Sequence, residues 1–322
     1  MLTLQSIYQA RAAISGIALR TPLTPSVSLS SKARDVRLKL ETVQPTGAFK
    51  LRGAANAISR LTPEQAGRGV VCASTGNHGR AVSYAAARNG IKATVCLSEL
   101  VPENKREAIR AAGGELRIIG RSQDEAQREV DRLVVEHGMT DIPPFDHADI
   151  IAGQGTIGLE ILEDWPEVDT VIVPLSGGGL IGGIALAVKS ASPDIRVVGV
   201  SMERGAAMSA SLEAGCPVEI EEQASLADSL GGGIGLENRY TYELARKYVD
   251  EVALLPERAI ADAMRHLYLR EGLVTEGGAA VGAALLLEDI AEKLGKRIAI
   301  VVSGRNVDMT LFQRVIGGEV PF

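Results

Sequence analysis

The chain has 322 residues, of which 46% are hydrophobic, 23% charged and 3% aromatic, and its formal net charge is −6. That length exceeds one comfortable hydrophobic core and suits two domains, and the composition describes a soluble globular protein with a core of Ala, Val, Ile and Leu. An acidic balance without a Lys/Arg cluster argues against a nucleic-acid partner, and no apolar run is long enough to span a bilayer.

In chain order, Met1 to Ile14 reads as an amphipathic helix without a cleavable signal pattern. The apolar stretch Gln44 to Ala54 follows, with Lys50 between Phe49 and Leu51 at the start of a helix. Val70 to Cys72, Ala93 to Cys96 and Glu115 to Ile119 read as strands, separated by helices at Gly76 to Asn89 and Pro102 to Ala112. Met139 to Asp149, with Pro143, Pro144 and three Asp residues, reads as a loop and a domain crossing, and Gly67 to Gly69 as a weaker boundary. Strands resume at Thr170 to Val173, Arg196 to Val200 and Arg297 to Val302, with helices at Leu180 to Ser190 and Ile260 to Glu271. This alternation predicts an α/β fold with mainly parallel sheets, in two domains: 1–68 plus 147–322, and 69–146. Cys72, Cys96 and Cys216 fit no metal spacing and suit a reduced, cytoplasmic setting, with Cys72 and Cys96 in the core.

Three loops each join a predicted strand to a predicted helix: Ser74-Thr75-Gly76-Asn77-His78-Gly79, Ser176-Gly177-Gly178-Gly179-Leu180 and Ser303-Gly304-Arg305-Asn306. Ligands of open α/β sheets bind beyond the carboxyl ends of strands, where such loops lie. In the second loop, consecutive glycines turn backbone N–H groups inward, and the helix that follows points its positive end at the same place; this suits a phosphate, although a tight turn with close helix packing needs the same glycines. No Gly-Lys-Ser/Thr follows, so it is not a P-loop, and no suitable acidic residue follows the next strand, so it is not a dinucleotide fingerprint. Lys50 in the first turn opposes the helix dipole, and near a phosphate site, partly desolvated, its amine would deprotonate more readily and attack a carbonyl.

With Gln44-Pro45-Thr46-Gly47-Ala48-Phe49-Lys50, the Ser-x-Gly-Asn-His loop, the glycine loop and Ser303-Gly304-x-Asn306 in that order, the chain resembles the pyridoxal-phosphate (PLP) enzymes of fold type II, the tryptophan-synthase-β-like group, especially threonine dehydratases and serine racemases. The resemblance covers nearly the whole chain. It implies a two-domain fold with twisted, mainly parallel sheets flanked by helices, PLP as cofactor, and a homodimer or homotetramer. Within the family, Pro45 to Lys50, Val200 to Met208, Gly231 to Gly235 and Ser303 to Met309 are similar to the hydroxyectoine-utilization dehydratases.

The resemblance implies that Lys50 holds the cofactor as a Schiff base and shuttles the Cα proton. It places Phe49 against the cofactor ring, Asn77 on its phenolic oxygen, Gly177, Gly178, Gly179 and Leu180 around the phosphate, and Ser303 on the pyridine nitrogen. Ser74, Thr75, Asn77 and His78 receive the substrate. Glu276 matches a glutamate near the ring, or else it caps the helix that follows. A neutral serine at the pyridine nitrogen gives a weaker electron sink than a carboxylate would, which favours prompt expulsion of a β-leaving group.

The sequence departs from the family pattern at four places. Arg305 replaces a glycine; it either reads an anionic or unusual side chain or makes a surface ion pair. Ser229 also replaces a glycine, which puts a backbone contact to the cofactor in question. Thr75 stands where serine racemases carry their second proton-transfer serine; its hydroxyl keeps racemisation open and its methyl restricts the rotamer. Ser201 and Ala207 stand where racemases place acidic metal ligands, so no divalent cation is expected, despite Glu203 nearby. His137, His147 and His266 do not cluster and read as surface or core-edge residues. The expected activity is dehydration and deamination of threonine, serine or a 3-hydroxy-2,4-diaminobutyrate-type compound from hydroxyectoine breakdown. The alternatives are an amino-acid racemase of the serine type and a non-catalytic ligand-binding module, against which Lys50 argues.

Overall fold

The computed structural model describes residues 2–74, 76–288 and 294–322. Chain order runs α1 (Leu4–Ala13), β1 (Leu23–Pro25), β2 (Asp35–Leu40), α2 (Lys50–Ser59), α3 (Pro63–Arg68), β3 (Val70–Ala73), α4 (Asn77–Arg88), β4 (Ala93–Leu97), α5 (Glu103–Ala111), β5 (Glu115–Ile118), α6 (Gln123–His137), β6 (Thr140–Asp141) and α7 (Ala148–Asp164). It continues through β7 (Thr170–Pro174), α8 (Gly179–Ala191), β8 (Arg196–Met202), α9 (Ala207–Ala214), α10 (Thr241–Tyr248), β9 (Glu251–Leu255), α11 (Glu257–Glu271), α12 (Gly277–Leu287), β10 (Arg297–Val302) and α13 (Met309–Ile316). Two compact units result, each discontinuous in sequence: Met1–Leu19 with Gln44–Gln154, and Arg20–Val43 with Gly155–Phe322.

The first unit holds a parallel four-stranded sheet in the order β5-β4-β3-β6. Every residue of β3 and β4 is buried, as expected of parallel strands covered on both faces. Their alternation feeds two cores. Val70, Cys72, Val95 and Leu97 pack with Leu51 and Ile58 of α2 and Ala81 and Val82 of α4. Val71, Ala73 and Cys96 face Ala126, Val130 and Leu133 of α6. α6 opens with a capping box in which Ser122 Oγ accepts from the Glu125 amide.

Residues 1–19 and 44–68 lie in this unit, whereas the sequence reading grouped 1–68 with the larger domain; the division also falls after Gln154 rather than near Asp146. The cause is a close approach of α2 to α7. A Cβ on Gly153 would stand 2.5 Å from the Arg52 carbonyl oxygen and 2.6 Å from the Gly53 Cα. Asn56, fully buried on α2, donates from Nδ2 to the Asp149 carbonyl at 2.7 Å.

The second unit holds a six-stranded sheet, β1-β2-β10-β7-β8-β9, in which only β1, among the described residues, runs antiparallel to its neighbour. Its core joins Leu38, Ile172, Val198, Ile300 and Val302 to apolar residues of α11 and α12. β2 reads Asp-Val-Arg-Leu-Lys-Leu, and its charges conceal a strand whose Lys39 is nevertheless fully buried, with Nζ 2.6 Å from Glu160 Oε2 and 2.6 Å from the Thr21 carbonyl oxygen. Among the described residues, no helix is long and apolar enough to cross a membrane.

Candidate active site

Each unit holds its own set of the residues singled out in the sequence. In the first, Lys50 is the opening residue of α2, which has no side-chain cap. Its Nζ donates to the Pro144 carbonyl at 2.6 Å and lies 5.4 Å from the centroid of the Phe49 ring, within range of a cation–π attraction. Both side chains are half-buried.

The loop between β3 and α4 is organised by Ser74. Its buried hydroxyl accepts from the Gly79 amide at 2.9 Å and the Gly76 amide at 3.3 Å, satisfying donors at the start of α4. Asn77, half-buried, opens the helix. His78 points away from solvent, and its Nε2 lies 2.6 Å from the Ile142 carbonyl oxygen. A carbonyl only accepts, so Nε2 carries the proton. Burial, with the Lys50 charge adding to it, pushes the His78 pKa down to about 3, so the ring is neutral at working pH. Thr75 lies outside the described residues.

In the second unit β7 and β10 are adjacent parallel strands, with Ile172 opposite Ile300. Continuing that register sets the loop after β7 beside Ser303, which follows β10 and is 3% exposed. Gly178 precedes α8 in the left-handed region at φ 86°. A Cβ there would meet Met208 Cε at 2.7 Å and Thr241 Cβ at 2.9 Å, so both conformation and space require glycine. Gly177, Gly179 and Leu180 are buried beside it. Among the described residues no side chain caps α8 and its first turn carries no acid, which leaves a helix N-terminus suited to an anion.

Glu276, 4% exposed, precedes α12, and its amide donates to the Gly304 carbonyl at 3.2 Å. The structure therefore brings Gly177, Gly178, Gly179, Leu180, Ser303 and Glu276 to one edge of the second sheet. Gly277 is pressed onto the 226–227 peptide: an added Cβ would lie 2.2 Å from the Leu226 carbonyl oxygen. Ser229 is exposed, with Oγ 2.4 Å from where a Gly278 Cβ would sit.

Arg305 is exposed. Ser201 is buried on β8 with its hydroxyl against Met202 Sδ, Ala207 opens α9, and Glu203 is exposed. His137 is exposed at the end of α6, His147 is half-buried, and His266 Nε2 lies 2.7 Å from Ser28 Oγ. Sequence reasoning missed the Ile142 and Pro144 carbonyls as partners of His78 and Lys50. The paired prolines signalled only a loop, because a backbone acceptor has no residue-type signature.

The second unit thus carries a glycine cradle at an uncapped helix N-terminus, suited to a phosphate, and the first unit carries a half-buried lysine amine. The chain belongs to the family of pyridoxal-phosphate dependent enzymes, whose family model matches residues 14–304. It is 54% identical over 320 residues to a Sinorhizobium fredii protein provisionally named threonine dehydratase, covering 99% of this chain and 96% of that one. It is 41% identical to the L-threonine ammonia-lyase of Thermotoga maritima, over 98% of this chain and 78% of that one. Among solved structures, maize serine racemase matches with a TM-score of 0.92 and 35% identity, over 98% of this chain and 97% of the maize chain. The cofactor is therefore pyridoxal phosphate, and the required glycine at position 178, with the uncapped helix after it, fits its phosphate.

Proposed function

We propose that the chain is an ammonia-lyase that eliminates the β-hydroxyl of a hydroxy amino acid such as threonine or serine. The observation that carries the chemistry is Ser303, a buried neutral hydroxyl at the end of β10 beside the glycine loop, where a carboxylate would favour other outcomes. Bound pyridoxal phosphate would supply the electron sink that lets the Cα–H bond break. Gly177, Gly178, Gly179 and Leu180 would hold its phosphate through backbone N–H groups, Phe49 would pack on its ring, Asn77 would take its phenolic oxygen, and Ser303 and Glu276 would border the ring. Lys50 would anchor it and take the Cα proton. The Ser74–His78 loop receives the substrate carboxylate, with Thr75 assigned there by sequence. The hydroxyl leaves as water; the enamine released tautomerises and hydrolyses, taking up that water, to a 2-oxo acid and ammonia. The relatives named threonine dehydratase and L-threonine ammonia-lyase support this assignment.

The finer reading is a 3-hydroxy-2,4-diaminobutyrate-type substrate from hydroxyectoine breakdown, supported by the stretches Val200 to Met208 and Ser303 to Met309. A second activity, racemisation, is favoured by the likeness to maize serine racemase. One assay separates them: 2-oxo acid and D-enantiomer are measured in parallel on threonine, serine and the diamino compound. Elimination predicts stoichiometric 2-oxo acid and ammonia. Accumulation of D-enantiomer alone overturns it.

A further inference from the structure

Three side chains of the first unit each grip a carbonyl of one segment, Ile142 to Asp149. His78 on α4 donates to Ile142, Lys50 on α2 to Pro144, and Asn56 on α2 to Asp149, at 2.6, 2.6 and 2.7 Å. The Ile142 amide donates to the Val71 carbonyl at 2.9 Å, which ties the start of this strap to β3. Pro143 and Pro144 have fixed φ and no N–H, so the strap is stiff there and these two residues offer acceptors only. His78 is a constant anchor, because burial keeps its ring neutral down to about pH 3. The other titratable groups of these elements are Arg52 on α2, Arg80, Tyr84 and Arg88 on α4, Cys72 on β3, Asp141 on β6, and Asp146, His147 and Asp149 along the strap.

We propose that His78 is a positioning residue for Lys50: by holding the Ile142 carbonyl, it fixes the Pro144 carbonyl as the dock of the Lys50 ammonium whenever that amine is not bonded to the cofactor. This rests on the assignment of Lys50 as the cofactor lysine. A carbonyl 2.6 Å from Nζ favours the charged amine and fixes its direction. A lysine that must leave and rejoin one atom repeatedly gains from such a resting place, because reacting groups are sensitive to small misplacement. The strap thereby governs both where the free amine waits and how firmly it keeps its proton.

The test is the proton affinity of Lys50 in the full-length protein freed of cofactor, read by acetic anhydride labelling across pH with mass spectrometry of the Lys50 peptide. His78→Leu removes the donor and His78→Gln keeps one. In His78→Leu the Lys50 midpoint falls by on the order of one pH unit, giving about tenfold more labelling below the midpoint. His78→Gln stays close to wild type. Pro144→Gly loosens the strap without touching His78 and shifts the midpoint in the same direction, which decides the matter even where His78→Leu fails to fold. Wild-type midpoints in His78→Leu or Pro144→Gly overturn the proposal, as does a His78→Gln shift equal to that of His78→Leu. Labelling needs neither substrate nor turnover, so a failed elimination assay and a failed strap are told apart.

Discussion

Gly153→Ala tests the link between the fold and the lysine. The new methyl would stand 2.5 Å from the Arg52 carbonyl oxygen and 2.6 Å from the Gly53 Cα, where ordinary contact begins at 3.4 Å. Both obstacles are backbone, so rotamer changes give no relief, and α2 and α7 must separate by about 0.9 Å. Overpacking of this kind costs about 1–3 kcal/mol, which for a protein of this size lowers Tm by on the order of 5 °C. Lys50 opens α2, so the shift also moves Nζ relative to the Pro144 carbonyl. A displacement near 1 Å at a reacting group costs on the order of a hundredfold in kcat/KM. The assays are thermal unfolding and 2-oxo acid formation. Gly67→Ala is the control, since a Cβ there meets nothing within 4 Å and Gly67 has no positive φ. A Gly153→Ala variant with wild-type Tm and wild-type kcat/KM would refute the account of the helix crossing.

Gly178→Ala combines a left-handed φ with contacts at 2.7 and 2.9 Å, so cofactor affinity, read by absorbance titration, falls by at least about tenfold; unchanged affinity removes the cradle. Lys39→Met leaves Glu160 buried without its ammonium and costs about 3–5 kcal/mol in denaturant unfolding, most of which the double variant with Glu160→Leu restores; additive effects speak against a coupled pair. Burial, with Asp131 adding to it, pushes the Asp141 carboxyl up to about 6, so the native state prefers it protonated. That contribution is complete below the unfolded pKa of about 4 and is lost as pH rises through 6. Asp141→Asn therefore raises stability at pH 8 by on the order of 2 kcal/mol and changes little at pH 4, and an equal effect at both pH values contradicts the shift.

What the sequence made legible follows the physics of each element. Val70–Ala73, Ala93–Leu97, Thr170–Pro174 and, apart from the exposed Arg297, Arg297–Val302 are buried on both faces and so appear as mainly apolar runs. β2 was hidden because a buried Lys39 and its Glu160 partner mimic a solvated strand. The glycine loop was legible because Gly178 is required by its own backbone conformation. The grouping of α2 with the first unit was not, since it depends on two glycines, Gly53 and Gly153, a hundred residues apart. His78 was read as a substrate-loop residue from its place in the motif; its bond to the Ile142 carbonyl, 64 positions away, leaves no trace in residue types.

The assignment of Lys50 is tested most directly by borohydride reduction of the holoenzyme followed by peptide mass spectrometry. The pyridoxyl mass is expected on Lys50, and Lys50→Ala should lose both that label and the visible absorbance. Label on another lysine, or an unchanged spectrum in Lys50→Ala, would contradict it.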